Sequence, residues 1–211
     1  QNEPENYRNY YMKFVSILSF VSMPLVTFLF VCSDQVINII LGPQWGEASE
    51  LFKILALVAF IQPVASTRGL VLISTGKSRR YLVLGTAGAI VMCLSFVAGL
   101  PWGAKGVAIG YTIGLYIGLL PFLYLSFKQT PVRLIDFFKA VYKPFFASSV
   151  MGVSTFVLLQ TLQNINDIII VGICLIMSIF VYLVTIVIIS NGTQDIREYF
   201  NYGKLIFDKE S

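Results

Sequence analysis

One arginine interrupts an otherwise uncharged apolar stretch of this 211-residue chain. Arg68 lies within the run from Ile54 to Gly76, and its backbone is roughly 13 Å from Lys77 along a straight helix. Placing arginine in hydrocarbon costs at least about 2.5 kcal/mol, so the side chain should face protein or water. A guanidinium presents forked donors that match phosphate or carboxylate oxygens. Two alternatives follow with equal weight: the side chain snorkels to the membrane surface, or it binds an anionic group, such as a phosphate-bearing lipid or an acidic sugar, in a cavity.

Three further polar side chains are candidates for the same site. Gln62 adjoins Pro63, which lacks an N–H and therefore disturbs the preceding helical turn. Tyr111 and Tyr116 would stack on sugar rings if they face a water-filled cavity, whereas tyrosines in apolar helices more often pack or hydrogen-bond to a neighbour. The predicted substrate-binding residues are thus Arg68, Gln62, Tyr111 and Tyr116.

Catalytic chemistry has little support in the residues. The chain has no histidine, which removes the usual general base and the commonest metal ligand. It also has neither a GxxxxGK[ST] nucleotide-binding loop nor a GxSxG nucleophile motif. Cys32, Cys93 and Cys174 fall within or at the end of apolar stretches, where we expect packing roles rather than disulfides or ligands. We predict no catalytic residue, no metal, no cofactor and no enzyme activity.

Six apolar stretches are long enough to hold these residues in a membrane. Each offers about the 20 residues that a helix needs to cross roughly 30 Å of hydrocarbon. The composition agrees, with 56% hydrophobic residues, 12% charged residues and a mean hydropathy of +0.78. The sequence therefore predicts an all-α, polytopic bundle of six transmembrane helices. The stretches are Phe14 to Ser33, Ile54 to Gly76, Tyr81 to Ala104, Gly106 to Phe127, Pro144 to Asn166 and Ile168 to Gln194.

The basic residues alternate between the connecting segments. All but three of the 15 Lys and Arg residues lie before the first stretch, between the second and third, between the fourth and fifth, or after the sixth. Of the other three, Lys53 and Arg68 lie in or near the second stretch, and Lys105 alone lies in the remaining connections, which carry both tryptophans. Because cytoplasmic loops are enriched in Lys and Arg, both ends are predicted to be cytoplasmic. Cytoplasmic loops that face anionic lipid account for the net charge of +4, and no nucleic acid partner is implied.

The chain divides into four predicted parts. Residues 1–127 form four transmembrane helices, and residues 144–194 form two more. Between them, residues 128–143 are predicted to form an amphipathic connector in the cytoplasmic interface, with Asp136 on its charged face. Residues 195–211 form a cytoplasmic tail. Within the fourth span, Gly106, Gly110, Gly114 and Gly118 form a groove along one side of the helix, which serves tight packing or, in a transporter, sliding and bending.

Four short motifs resemble one family. They are Ile40 to Trp45 (ILGPQW), Leu51 to Leu57 (LFKILAL), Ser74 to Lys77 (STGK) and Leu100 to Ala108 (LPWGAKGVA). In this order, separated by apolar stretches, they resemble the polysaccharide transporters, the Wzx-type flippases of lipid-linked oligosaccharides. That family belongs to the multidrug/oligosaccharidyl-lipid/polysaccharide exporter superfamily.

The resemblance implies two six-helix lobes around a central cavity, often followed by two extra helices. This chain would be the C-terminal part only, namely four helices of the second lobe and the extra pair. A first residue of Gln rather than Met also favours a fragment.

The implied function is movement of lipid-linked oligosaccharide or polysaccharide precursors across the bacterial cytoplasmic membrane for surface polysaccharide biosynthesis. Implied partners are the lipid-linked glycan, membrane lipids, the missing N-terminal lobe, and polysaccharide polymerase and glycosyltransferases. Two alternatives stay open: a multidrug or toxin extruder of the same fold, and a non-transporting subunit of a polysaccharide assembly complex.

Overall fold

Helices form nearly all of the described chain. The computed structural model describes residues 3–162 and 166–190, so the predicted tail 195–211 and the end of the sixth span lie outside the described residues. Within them no strand occurs, and the predicted all-α class is confirmed. The helices are α1 (Glu3–Val31), α2 (Ser33–Ile40), α3 (Gly46–Ser66), α4 (Arg68–Ser74), α5 (Ser78–Gly99), α6 (Gly103–Phe127), α7 (Leu134–Thr161) and α8 (Asp167–Ile189).

Five helical segments have the length and composition of membrane spans. One of them, Ser78–Phe127, is 50 residues long, about twice what a single crossing needs. It turns back at the 3₁₀ turn Leu100–Trp102, so that α5 and α6 form an antiparallel hairpin. The chain is therefore a multi-pass membrane protein, and the hairpin accounts for the third and fourth predicted spans.

The second predicted span is broken into α3 and α4 at Thr67. Pro63 removes a backbone donor one turn earlier, so carbonyl groups near the break need other partners. The Ser66 hydroxyl donates to the Pro63 carbonyl, and the Thr67 hydroxyl donates to the Val64 carbonyl, each at 2.7 Å. Arg68 is thus the first residue of α4, at a weakened point of the span.

Helix α7 is continuous across the boundary predicted between connector and fifth span. It runs from Leu134 to Thr161 with Pro144 inside it. The placement of Asp136 on an outward charged face was wrong, because its side chain is completely buried. The helix turns Asp136 and Phe137 inward together and leaves Phe138 exposed. Whether residues 128–143 lie in the membrane interface stays a prediction.

Helix α1 lies at the centre of the packing. One buried cluster joins its first two-thirds to α3, α4, α6 and the start of α7, around Met23, Leu123 and Phe137. A second cluster joins its last turns to α7 and α8, and includes Cys32 and Cys174. Both cysteines are completely buried free thiols. The packing role predicted for these two is confirmed, whereas Cys93 on α5 is exposed and the same prediction for it was wrong.

Three of the four basic segments meet at one end of the bundle. We call this the basic end; it is held by polar contacts between the start of α1, the α4–α5 connection and the segment after α6. These contacts are Arg8 with Asp136, Tyr7 with Ser74, Lys77 with the Gln129 carbonyl, and Arg80 with the Lys128 carbonyl.

The opposite end carries both tryptophans, and we call it the tryptophan end. Ion pairs and a hydrogen bond join α3 to α2, α6 to α3, and α2 to α8 there. The contacts are Lys53 with Asp34, Lys105 with Glu50, and Asn38 with Asp167. The described connections thus lie at two opposite ends of the bundle, as the alternation of basic residues along the sequence predicted.

Candidate functional site

A cavity of about 150 Å³ lies where the α3–α4 break faces the α5–α6 hairpin. Arg68 and Gln62 both line it, on the side formed by the broken span. Glycines at Gly88, Gly114 and Gly118 form much of the other side, where the absence of side chains leaves the space open. The break and the glycine-rich hairpin therefore create the cavity together.

Arg68 is half-buried in this cavity. Its guanidinium carbon lies 5.2 Å from the centre of the Phe122 ring, at cation–π distance. Within the described parts of the chain, no carboxylate forms an ion pair with Arg68. The cavity lining includes no Asp or Glu among these residues either. The site therefore combines a positive charge, an amide and an aromatic ring, and such a set can accept an anionic group.

The four predicted site residues are only partly brought together. The Tyr111 hydroxyl lies 3.5 Å from Gln62 Oε1, at the limit of a hydrogen bond, and its ring packs 5.4 Å from that of Phe96. Tyr116 instead donates to the Leu57 carbonyl at 2.8 Å. It lines a separate cavity of about 280 Å³ that also includes residues of α1 and α7. Arg68, Gln62 and Tyr111 thus form one neighbourhood, and Tyr116 lies outside it.

The glycine groove predicted on α6 is confirmed as a close helix contact. A Cβ on Gly106 would lie 2.3 Å from the Gly99 carbonyl oxygen, and one on Gly110 would lie 2.5 Å from that of Ser95. Gly114 faces the Ser95 hydroxyl in the same way. Backbones approach this closely only where side chains are missing. The contact fixes α6 against α5 and thereby shapes one wall of the Arg68 cavity.

An ion pair that was not predicted holds the basic end. Arg8 pairs with the completely buried Asp136, and the Arg133 backbone N–H donates to Asp136 Oδ2 at 2.9 Å. The carboxylate therefore caps α7 and also joins it to α1. Part of this was visible in the sequence, because an acidic residue favours the first turn of a helix. Its partner in α1 left no local signal.

The tryptophan end holds a second carboxylate in a defined environment. Lys53 Nζ lies 2.6 Å from Asp34 Oδ2, and the Ser49 hydroxyl donates to Asp34 Oδ1. Burial alone would raise the pKa of Asp34, but the hydrogen bonds from Lys53 and Ser49 outweigh it and lower that pKa from its ordinary value. Asp34 therefore stays ionised and serves as a structural anchor. Across the described residues, no cluster of three or more His, Cys, Asp or Glu side chains could hold a metal ion.

Parts of the chain are similar in sequence to known proteins of polysaccharide biosynthesis. A family model described as "Polysaccharide biosynthesis protein" matches residues 1–50, which include the ILGPQW motif. The teichuronic acid biosynthesis protein TuaB of Bacillus subtilis (strain 168) is 26% identical over 159 residues. Over these parts the chain is similar to polysaccharide biosynthesis proteins. The resemblance seen in the motifs is thereby confirmed.

The similarity to TuaB covers most of this chain but a minor part of TuaB. The alignment with TuaB covers 74% of this chain but 33% of TuaB. The chain thus spans about one third of the length of the curated relative it matches. No solved structure matches it. The comparisons therefore support a likeness to polysaccharide biosynthesis proteins over part of the chain, and the structure shows the membrane-spanning helical fold.

Proposed function

We propose that the full-length protein is a flippase that moves lipid-linked oligosaccharide or polysaccharide precursors across the bacterial cytoplasmic membrane. The observation that carries the proposal is the Arg68 cavity: a guanidinium that pairs with no described carboxylate lines the same cavity as Gln62, inside a span of a chain that is similar to polysaccharide biosynthesis proteins. A lipid-linked glycan carries phosphate between its lipid and its sugars. The guanidinium would bind this phosphate, and Gln62 would hydrogen-bond to a neighbouring sugar.

In this mechanism the chain supplies one wall of a two-sided pathway. An N-terminal lobe of the same protein would supply the other wall, and rocking of the two lobes would expose the cavity to each side in turn. The basic end would face the cytoplasm, since it carries most of the Lys and Arg residues that the structure describes. Polymerase and glycosyltransferases would act before and after the transport step. The protein itself would transport rather than catalyse.

The drug-extruder alternative fits the cavity less well. A cationic drug needs acidic or free aromatic groups, and the ring of Phe122 already faces the Arg68 guanidinium. The described lining residues also offer a drug no carboxylate. A phosphate-bearing substrate is the better match in charge.

The test is glycan export by cells that carry the full-length protein with Arg68→Ala or Arg68→Lys, at matched abundance in the membrane. Charge-assisted hydrogen bonds are worth about 1.5–3 kcal/mol, so Arg68→Ala should lower export about tenfold or more. Arg68→Lys keeps the positive charge but loses the paired N–H donors of the guanidinium, so it should retain part of the export activity.

Arg79→Ala is the matched control. Arg79 is an exposed cation at the same end and lies outside the cavity lining. If export falls equally in Arg68→Ala and Arg79→Ala, only the overall charge of that end matters. Normal export in Arg68→Ala would assign Arg68 to snorkelling and remove the main support for the proposal.

A further inference from the structure

An apolar groove runs along the outer face of the α5–α6 hairpin. It encloses about 840 Å³, and its lining is almost entirely apolar apart from Ser95 and Lys105. The glycines at 106, 110 and 114 form its floor, while Ile109, Ile113 and Ile117 form a wall. From Lys105 to Ile117 it follows α6 for roughly 18 Å. Its dimensions suit a single extended hydrocarbon chain.

The groove adjoins the Arg68 cavity. Val91 and Gly114 line both spaces, so the two meet at the middle of the hairpin. From this junction the Arg68 cavity extends towards the basic end, and the groove extends to Trp102 and Lys105 at the tryptophan end. The space carries a cation at each end, but Lys105 at the tryptophan end is paired with Glu50, whereas no described carboxylate pairs with Arg68. The cation available to a ligand therefore lies at one end, with a mainly apolar lining along the groove, and a phosphate lipid has the same polarity along its axis.

The exposure of the wall indicates that the groove opens to lipid. Ile113 and Ile117 are 52% and 71% exposed, and Trp102, at the groove's far end, is 73% exposed. Tryptophan favours the membrane–water interface, where its ring lies among lipid chains and its N–H reaches water. The groove thus extends from beside a cationic cavity to an exposed tryptophan along an exposed apolar surface.

We propose that this groove holds the hydrocarbon chain of the lipid-linked substrate while its phosphate is bound at Arg68. The inference rests on the proposed function and adds a place for the lipid part of that substrate. Moving the chain from bulk lipid into the groove brings no hydrophobic gain, because both surroundings are apolar. The groove acts through close packing on its glycine floor, and it aligns the chain with the bound phosphate.

Site-specific photocrosslinking of the full-length protein in membranes tests this. A photoreactive phenylalanine analogue replaces Ile113 in the groove or, as the control, Ile179 on α8. The two positions are matched, at 52% and 53% exposure in the same residue type. With radiolabelled undecaprenyl phosphate as the probe, labelling at position 113 should exceed that at 179 several-fold. Arg68→Ala should bring it down towards the control.

Three results would overturn the inference. Equal labelling at the two positions means that bulk lipid covers the groove. A crosslink from position 113 to another segment of the same polypeptide means that protein covers it. Labelling at 113 that Arg68→Ala leaves unchanged means that the chain in the groove is not aligned with a phosphate at Arg68.

Export assays separate this inference from the proposed function. Ile113→Trp narrows the groove and should reduce export, whereas Ile179→Trp should not. Loss of export in Arg68→Ala, combined with equal labelling at 113 and 179, would overturn the groove and leave the flippase function standing. Enriched, Arg68-dependent labelling at 113 in a protein without export activity would support the groove and overturn the flippase function.

Discussion

At the scale of single residues, Arg8 and Arg68 both lie within membrane-spanning helices and play different parts. Arg8 has a partner, since it pairs with a carboxylate that is completely buried and also caps a helix. Arg68 faces an aromatic ring and a cavity, and no described carboxylate pairs with it. A paired arginine is expected to stabilise the fold, whereas an unpaired one in a cavity is available to a ligand. The role of a charged side chain inside a membrane protein therefore depends on whether an oppositely charged group pairs with it.

Removing Arg8 should destabilise the protein more than removing both partners. Arg8→Met leaves the Asp136 carboxylate buried without its counter-ion, so the midpoint of thermal unfolding in detergent should fall by several degrees. Arg8→Met combined with Asp136→Leu should recover part of this loss, because no buried charge remains. Lys139→Met, which removes an exposed cation of α7 outside this ion pair, is the control and should leave the midpoint unchanged. A double variant less stable than Arg8→Met would contradict this account.

At the scale of helices, the α5–α6 hairpin depends on backbone contact. The glycine spacing of four on α6 predicted a close approach, and the structure places Gly99 and Ser95 of α5 against it. The same hairpin forms one wall of the Arg68 cavity and the floor of the apolar groove. Packing and the candidate site therefore depend on the same glycines.

Gly110→Ala should separate the two helices. Its Cβ would lie 2.5 Å from the Ser95 carbonyl oxygen, which the backbone can relieve only by shifting, at about 1–3 kcal/mol of unfolding free energy. Gly85→Ala adds the same methyl group to the same hairpin with nothing within 4 Å, so it should be neutral or slightly stabilising. Reversible unfolding in mixed detergent measures both. Equal effects of the two substitutions would show that the close contact contributes little.

Some of the helices could be predicted from the sequence and others could not. Uninterrupted apolar runs located the spans, since lipid demands apolar side chains almost all round a helix. The same signal ends at the first charged residue. The predicted span therefore starts at Ile54, after Lys53, although α3 begins at Gly46. The burial of Asp136 depends on Arg8, 128 residues away, and local pattern carries no such information. Arg68 and Gln62 could be grouped because they lie on one span, whereas the placement of Tyr116 depended on how α6 packs against α3.

At the scale of the whole molecule, the bundle has two chemically different ends. Polar contacts tie α1, α4, α5 and α7 together at the basic end, and tie α2, α3, α6 and α8 together at the tryptophan end. The candidate site lies between them, on the face formed by the broken span and the hairpin. An account of transport needs these ends on opposite sides of the membrane.

Thiol labelling tests that orientation in the full-length protein without its native cysteines. Arg79→Cys at the basic end and Glu47→Cys at the tryptophan end are both at exposed positions. A membrane-impermeant maleimide added to intact spheroplasts should label position 47 at once and position 79 only after permeabilisation, because Lys and Arg favour the cytoplasmic side. The reverse order would place the basic end outside and invert the proposed direction of transport.

The most direct test of the central claim uses purified full-length protein in liposomes. The measurement is the transbilayer movement of a polyprenyl diphosphate-linked oligosaccharide. The account predicts movement well above that in protein-free vesicles, slowed about tenfold or more in Arg68→Ala and less in Arg68→Lys. Movement by the unchanged protein no faster than in protein-free vesicles, under conditions where the protein remains folded, would contradict the flippase assignment.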